Sequence, residues 1–224
     1  MNVQADSSLR TLARRSGAAV GLPGYAWDDR ARRYVNLATG RYTAQGDIND
    51  LLRSVTLRAS DTMAALAQNV SAGKLTTREF YEAMQLTLRQ AYNANAALAR
   101  GGWQQMTQAD WGRNGHQLRT QYELLRSFCR DIEDGRLTLT QRPLSEAQIV
   151  ARARLYADSA YGRYWQVMDE RARSAGLAEG RTNTAGDDRV CQVCRTQQAK
   201  GWQALASFAP PLYHGGCRCD AEYR

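Results

Sequence analysis

Apolar residues recur every three to four positions through most of the middle of the chain, the spacing that places them along one face of a helix. From Asp47 to about Val70 they fall at Ile48, Leu51, Leu52, Val55, Met63, Leu66 and Val70, with Asp47 placed to act as the N-cap. The Gly73-Lys74 region breaks this stripe. Thr76, followed three residues later by Glu79, has the form of a capping box and opens a second helix with the stripe Phe80, Met84, Leu88, Ala91, Ala94 and Leu98, closed by Gly101-Gly102. Thr107 with Asp110 opens a third, striped by Trp111, Leu118, Tyr122, Leu125, Cys129 and Ile132. Ser145 with Gln148 forms another box and starts the longest helix, which carries Ile149, Ala153, Tyr156, Ala160, Tyr164, Val167 and Met168 and stops near Gly176. Short polar turns between the four favour antiparallel packing.

Outside these helices the pattern changes. Residues 1–24 lack periodicity and contain Gly17, Gly21, Pro23 and Gly24, an extended arm by composition. Between Tyr25 and Tyr42, aromatic and apolar positions flank two turn-like stretches, which predicts a small β-ribbon. The expected fold is therefore mainly α: an antiparallel helical bundle or two helical hairpins, with a small C-terminal zinc-knuckle-like α+β module. The segments divide as 1–44, 45–176 and 177–224. The helical aromatics Phe80, Tyr81, Tyr92, Trp111, Tyr122, Phe128, Tyr156, Tyr164 and Trp165 sit at core spacing, so packing is expected of them rather than base stacking. Arg152, Arg154, Arg163 and Arg171 are expected on the opposite, solvated face.

Composition narrows the class. With 43% hydrophobic and 23% charged residues in 224, the chain reads as globular. It has no apolar run near the roughly 18 residues of a membrane span and no signal-peptide core at its start, so no membrane partner and synthesis in the cytoplasm without export are expected. The net charge of +8 rests almost wholly on arginine, since Lys74 and Lys200 are the only lysines. Guanidinium groups suit phosphates and carboxylates alike, so charge by itself does not choose between nucleic acid and an acidic protein surface.

Cysteine placement says more. Cys129 lies within a helical stripe and reads as packing, and His116 has no second ligand at helical spacing. The other four cysteines gather in the last 34 residues: Cys191-Gln-Val-Cys194, then His214-Gly-Gly-Cys217-Arg-Cys219 about twenty residues on. Two such clusters are what a structural zinc site requires, with one pair of thiolates on a turn and the other ligands closing the tetrahedron. In a chain without an export signal, disulfides are the weaker reading. Five candidates compete for four positions: Cys191, Cys194 and Cys217 lead, with Cys219 and His214 contending for the last. Alternation in Cys217-Arg218-Cys219 would put both sulfurs on one side of a strand.

An enzyme is not expected. The His-x-Glu or Cys-x-Glu of a zinc deaminase is missing, as are a nucleophile elbow, a phosphate loop and a dinucleotide fingerprint. Four protein ligands would leave the metal no open position.

Taken together, Asp187-Asp188, Cys191-x-x-Cys194, Pro210-Pro211 and His214-x-x-Cys217-Arg218-Cys219 resemble the C-terminal domain of the tailed-phage minor head, or head morphogenesis, proteins of the phage Mu F type. The helix from Ala151 to Arg163 is similar to the one preceding that domain, and the likeness extends over roughly residues 45–224. The resemblance implies a virion component near the portal vertex, present in multiple copies, that contacts portal or major capsid protein and sometimes packaged DNA. The chain departs from the pattern at Gly215-Gly216 and has only five residues after Cys219, where a longer strand is expected. The alternative, from a different class, is a zinc-containing module that binds nucleic acid without sequence preference.

Overall fold

The computed structural model describes residues 25–28, 31 and 33–224, so the expected arm at 1–24 lies outside the described residues. The ribbon forms as three short antiparallel strands, β1 (Tyr25–Asp28), β2 (Arg33–Asn36) and β3 (Arg41–Tyr42), in the order β1-β2-β3. Four long helices follow: α1 (Gln45–Ser71), α2 (Thr77–Arg100), α3 (Gln108–Asp134) and α4 (Glu146–Ser174), with a 3-10 turn at Trp103–Gln105. The C-terminal part holds β4 (Glu179–Asn183), α5 (Gln192–Ala199), β5 (Gln203–Ala204) and β6 (Asp220–Tyr223), its sheet ordered β5-β4-β6 and antiparallel throughout.

The helix starts follow from local chemistry. Thr76, Thr107 and Ser145 each cap α2, α3 and α4 with a reciprocal capping box, satisfying amides that the first turn leaves without partners. Asp47 is the exception. Helix α1 begins two residues before it, capped by Ala44 without a side-chain bond, because the Thr43 amide pairs with the Tyr34 carbonyl at 2.7 Å and the chain turns into the helix as soon as that pairing ends. Asp47 instead lies in the first turn, where its charge faces the positive end of the helix.

Helix α4 packs antiparallel on α1 and parallel to α2, while α2 also packs against α1 and α3. Phe80, Met84, Leu88, Leu125, Phe128, Ala153 and Tyr156 fill the half of the bundle nearest the α1–α2 turn. The other half is built differently. Its α2 segment is Ala94, Ala96, Ala97, Leu98 and Ala99, small enough to admit Tyr161, Tyr164 and Trp165 from α4. The same cluster takes in Tyr34 from the ribbon and Leu205, Phe208 and Ala221 from the C-terminal sheet, so both sheets pack on one half of the bundle.

Two expected placements are corrected. Trp111 does not enter the core; it is 42% exposed and stacks on Trp103 with centroids 6.0 Å apart. Its helix turns here with Asp110 and Asn114 inward instead, both buried. Conversely, Arg163 is 1% exposed rather than solvated. Its Nε donates to Asn114 Oδ1 at 2.7 Å and its Nη1 to Glu170 Oε1 at 3.1 Å, within a network in which Arg100 joins Asp110 and Glu170. That pairing lets a charge sit inside. Among the described residues, no helix is long and apolar enough to cross a membrane.

Candidate metal centre

All five predicted donors converge. Cys191 is the N-cap of α5 and Cys194 lies in its first turn, so both sulfurs stand at the same end of that helix. After β5 the chain crosses Pro210-Pro211 and returns to bring His214, Cys217 and Cys219 against them. The donor atoms form two triangles that share Cys194: Cys191, Cys194 and His214 in one, Cys194, Cys217 and Cys219 in the other, every pair in each within 4.8 Å. His214 Nε2 lies 3.1 Å from Cys191 Sγ and 3.0 Å from Cys194 Sγ, and Cys194 and Cys217 sulfurs are 4.0 Å apart. All five cysteines of the chain are free thiols. The cluster could hold a metal ion.

The segment Cys217–Cys219 is not part of a strand; β6 starts at the next residue. The alternation expected of it survives locally, with both sulfurs buried, while Arg218 turns out to grip Asp187 through two bonds of 2.6 and 2.7 Å. The five residues after Cys219 supply a strand of four, paired with β4 from Asn183–Asp220 to Gly180–Tyr223.

Around the donors, a shell of hydrogen bonds sets the loop. His214 Nδ1 lies 2.7 Å from the Gly215 carbonyl, which selects the tautomer with the proton on Nδ1 and leaves the Nε2 lone pair facing the sulfurs. The Gly216 amide donates to Asp158 Oδ2 at 2.8 Å, and the Tyr161 hydroxyl donates to the Cys219 carbonyl at 2.8 Å. Both acceptor and donor belong to α4, so the long helix itself holds the ligand loop. Arg53 from α1 adds a bond to the Arg218 carbonyl. The Tyr213 hydroxyl donates to the Ala209 carbonyl and meets Thr182 Oγ1 of β4 at 2.5 Å.

The protonation states are uneven. A hydrogen bond from the Cys219 thiol, with backbone amides of Tyr213 and Cys219, draws Cys217 down to about 5 against the effect of its burial. Cys219, as the donor of that bond, is pushed up, and burial raises Cys194 to about 11. Cys191 is lowered, first by the backbone amide of Cys194 at the start of α5. The Gly215 carbonyl raises His214. A cation bound by these sulfurs would displace the protons they carry.

Of these groups, the Cys and His positions were legible in the sequence and Asp158, Tyr161 and Thr182 were not. Asp158 and Tyr161 stand at unremarkable places on an amphipathic helix, and only the return of the loop gives them a task. His116 is exposed on α3, and Cys129 is buried in the bundle core, the packing role expected of it, with its thiol pushed up to about 12 by burial. The cleft beside the donors measures about 20 Å³ and is lined by Cys191, Cys194, His214, Arg189, Arg218 and Cys219 among others. A wider groove of about 520 Å³ lies over α1 and α4, where Glu146 and Arg154 are the charged residues among Gln68, Ala147, Val150 and Ala151.

Comparisons with protein-family models, with curated proteins and with solved structures found no match.

Proposed function

We propose that this chain is a structural, non-enzymatic component of a tailed-phage head, a minor head protein acting in head assembly near the portal vertex, whose C-terminal module is closed by one zinc ion. The observation that carries the reading is the donor set: four thiols and one imidazole, without a carboxylate, two at the start of α5 and three on a loop clamped to α4. Zinc takes thiolate and imidazole ligands in a tetrahedron whose sulfur–sulfur edges are about 3.8 Å, close to the Cys194–Cys217 separation of 4.0 Å. A structural ion contributes folding free energy to a module too short to build a core of its own. The adjoining cleft has room for about one water-sized sphere, which favours a closed structural site over one that admits a substrate. The role in the head rests on the resemblance of residues 187–219 and of the preceding helix.

The test has two arms. Metal analysis of protein purified without tags or chelators should find about one zinc per chain, lost on Cys194→Ala. Purified portal or major capsid protein should then capture the zinc-loaded chain from solution in a manner insensitive to nuclease. Absence of zinc from fully reduced protein would sink the metal reading. Failure to bind either head protein, combined with DNA binding that weakens steeply with salt, would replace assembly by non-specific nucleic-acid binding, since each neutralised phosphate steepens the slope.

A further inference from the structure

Between α3 and α4 the chain makes a tight loop whose apex carries a leucine into solvent. Leu139 is 97% exposed, more than any other large hydrophobic residue among those described. Hydrogen bonds fix the loop around it. The Leu137 amide donates to the Arg142 carbonyl at 2.9 Å, the Gln141 amide to the Leu137 carbonyl at 2.7 Å, and Gln141 Nε2 to the Thr138 carbonyl at 2.9 Å. Thr138 is tied in turn to α3, its amide donating to Asp131 Oδ1 at 2.9 Å. Gln141 takes a φ of +54°, a region that residues other than glycine rarely adopt, so the loop keeps its shape against a local backbone preference. Arg136 and Arg142 flank the apex, both exposed and with no acid between them, and neither forms an ion pair with another described residue.

Directly after this loop, the start of α4 and the end of α1 border the groove of about 520 Å³. Ala147, Val150 and Ala151 make its α4 side apolar, Gln68 lies on α1, and its charged residues are Glu146 and Arg154. Arg154 faces Asp61 at 4.0 Å, whereas Glu146 has no ion-pair partner among the described residues, so the uncompensated charge of the groove is negative. A leucine between two arginines and an apolar groove with a free carboxylate are complementary in both character and charge. Leu139 does not fill the groove of its own chain, since it is solvated. Only residues 143–145 separate the loop from the groove lining, so both lie at one end of the bundle. A two-fold axis beside them would set each loop over the groove of the other copy.

We propose that this end of the bundle is a dimerisation surface, in which Leu139 of one copy enters the groove between α1 and α4 of a second copy while Arg136 and Arg142 meet Glu146 there. The fixed loop lowers the cost of association, because its backbone is ordered before the copies meet. The pairing uses no residue of the metal cluster and is independent of the function proposed for the chain.

Sedimentation velocity of the full chain, followed up to about 0.1 mM, should show a monomer–dimer equilibrium. Leu139→Asp should weaken it by about a hundredfold or more, since two buried leucines are lost per dimer, with the far-ultraviolet helical signal unchanged. Ala151→Arg, at an exposed position of the groove, should block entry and leave a monomer. The pair of changes Arg136→Glu and Arg142→Glu, and the single change Glu146→Arg, should each weaken the dimer and restore it when combined, a recovery that misfolding would not produce. A wild-type chain still monomeric at about 0.1 mM overturns the proposal, as does a dimer that survives both Leu139→Asp and Ala151→Arg. A monomer in which residues 146–154 lose hydrogen-exchange protection once residues 1–24 are removed would also overturn it, and would give the groove to the chain's own N-terminal segment.

Discussion

Gly101 closes α2 with φ at +103°, and a Cβ there would stand 2.3 Å from the Trp27 indole of the ribbon. Arg171 of α4 covers the same indole at 4.3 Å, so ribbon, α2 and α4 meet at this one glycine. Gly101→Ala is expected to lower stability by at least about 1–3 kcal/mol from backbone strain alone, measured by denaturant unfolding, with Trp27 fluorescence shifted towards that of a solvated indole. Asp131 is a second residue with a readable consequence. Burial would push its carboxyl up, but hydrogen bonds from Thr138 and Arg152 together hold it below its ordinary value. A carboxylate lowered in the folded state contributes stability above its unfolded value, near pH 4, and loses that contribution as the pH falls through its folded value. Asp131→Ala, which leaves Arg152 over the Phe128 ring without its carboxylate, should cost about 1–3 kcal/mol at neutral pH. Thermal unfolding should show the gap between variant and wild type closing on acidification below about pH 4. A gap that widens in acid would show that the pairing does not set this carboxyl.

At the level of elements, three capping boxes define where α2, α3 and α4 begin, and each was legible because both partners lie within four residues of one another. Thr107→Ala removes an acceptor for the Asp110 amide and should cost about 0.5–2 kcal/mol, seen as a lower unfolding midpoint with unchanged helical circular dichroism. Asp110 has a further task, since it also bonds Arg100, and this coupling was not readable from spacing. Likewise, the helical period places Trp111 and Arg163 on faces but does not say which face meets another helix once α3 touches the bundle chiefly through α2. Phe128 is fully buried between the helices, edge-on to Phe80 at 5.8 Å and stacked on Tyr156 at 6.1 Å. Phe128→Ala should cost about 3–5 kcal/mol in denaturant unfolding, and a cost under 1 kcal/mol would mean that α3 is not anchored there.

For the whole molecule, the C-terminal module is joined to the bundle by two kinds of contact. Leu205, Phe208 and Ala221 extend the bundle's own core, while Asp158, Tyr161 and Arg53 bond the ligand loop. On the proposed zinc reading, chelation should therefore loosen the loop 209–219 and α5 while the four long helices persist. Hydrogen exchange should show protection lost around Cys191–Cys219 and kept in α1, α2 and α4, with the far-ultraviolet helical signal little changed. Protection lost equally throughout would make the ion part of the global fold. The sheet order β5-β4-β6 is the device that permits this arrangement, because β6 starts directly after Cys219, the last candidate donor, and returns beside β4.

What the sequence determined by itself was much of what neighbours in the chain govern: four amphipathic helices, the capping boxes of three of them, the glycine stops, the ribbon, and five metal-type donors in two close-spaced groups. Such features are set by spacing of three or four residues and by the chemistry of single turns. The tertiary structure alone decided which polar residues face inward and which donors touch. Arg163 is buried because Asn114 and Glu170, 49 positions before it and 7 after, surround it. Asp158 and Tyr161 hold a loop that lies 58 residues further along the chain. Partners so distant in sequence leave no periodic trace, since their meeting depends on the packing of α4 and on the return of the final strand.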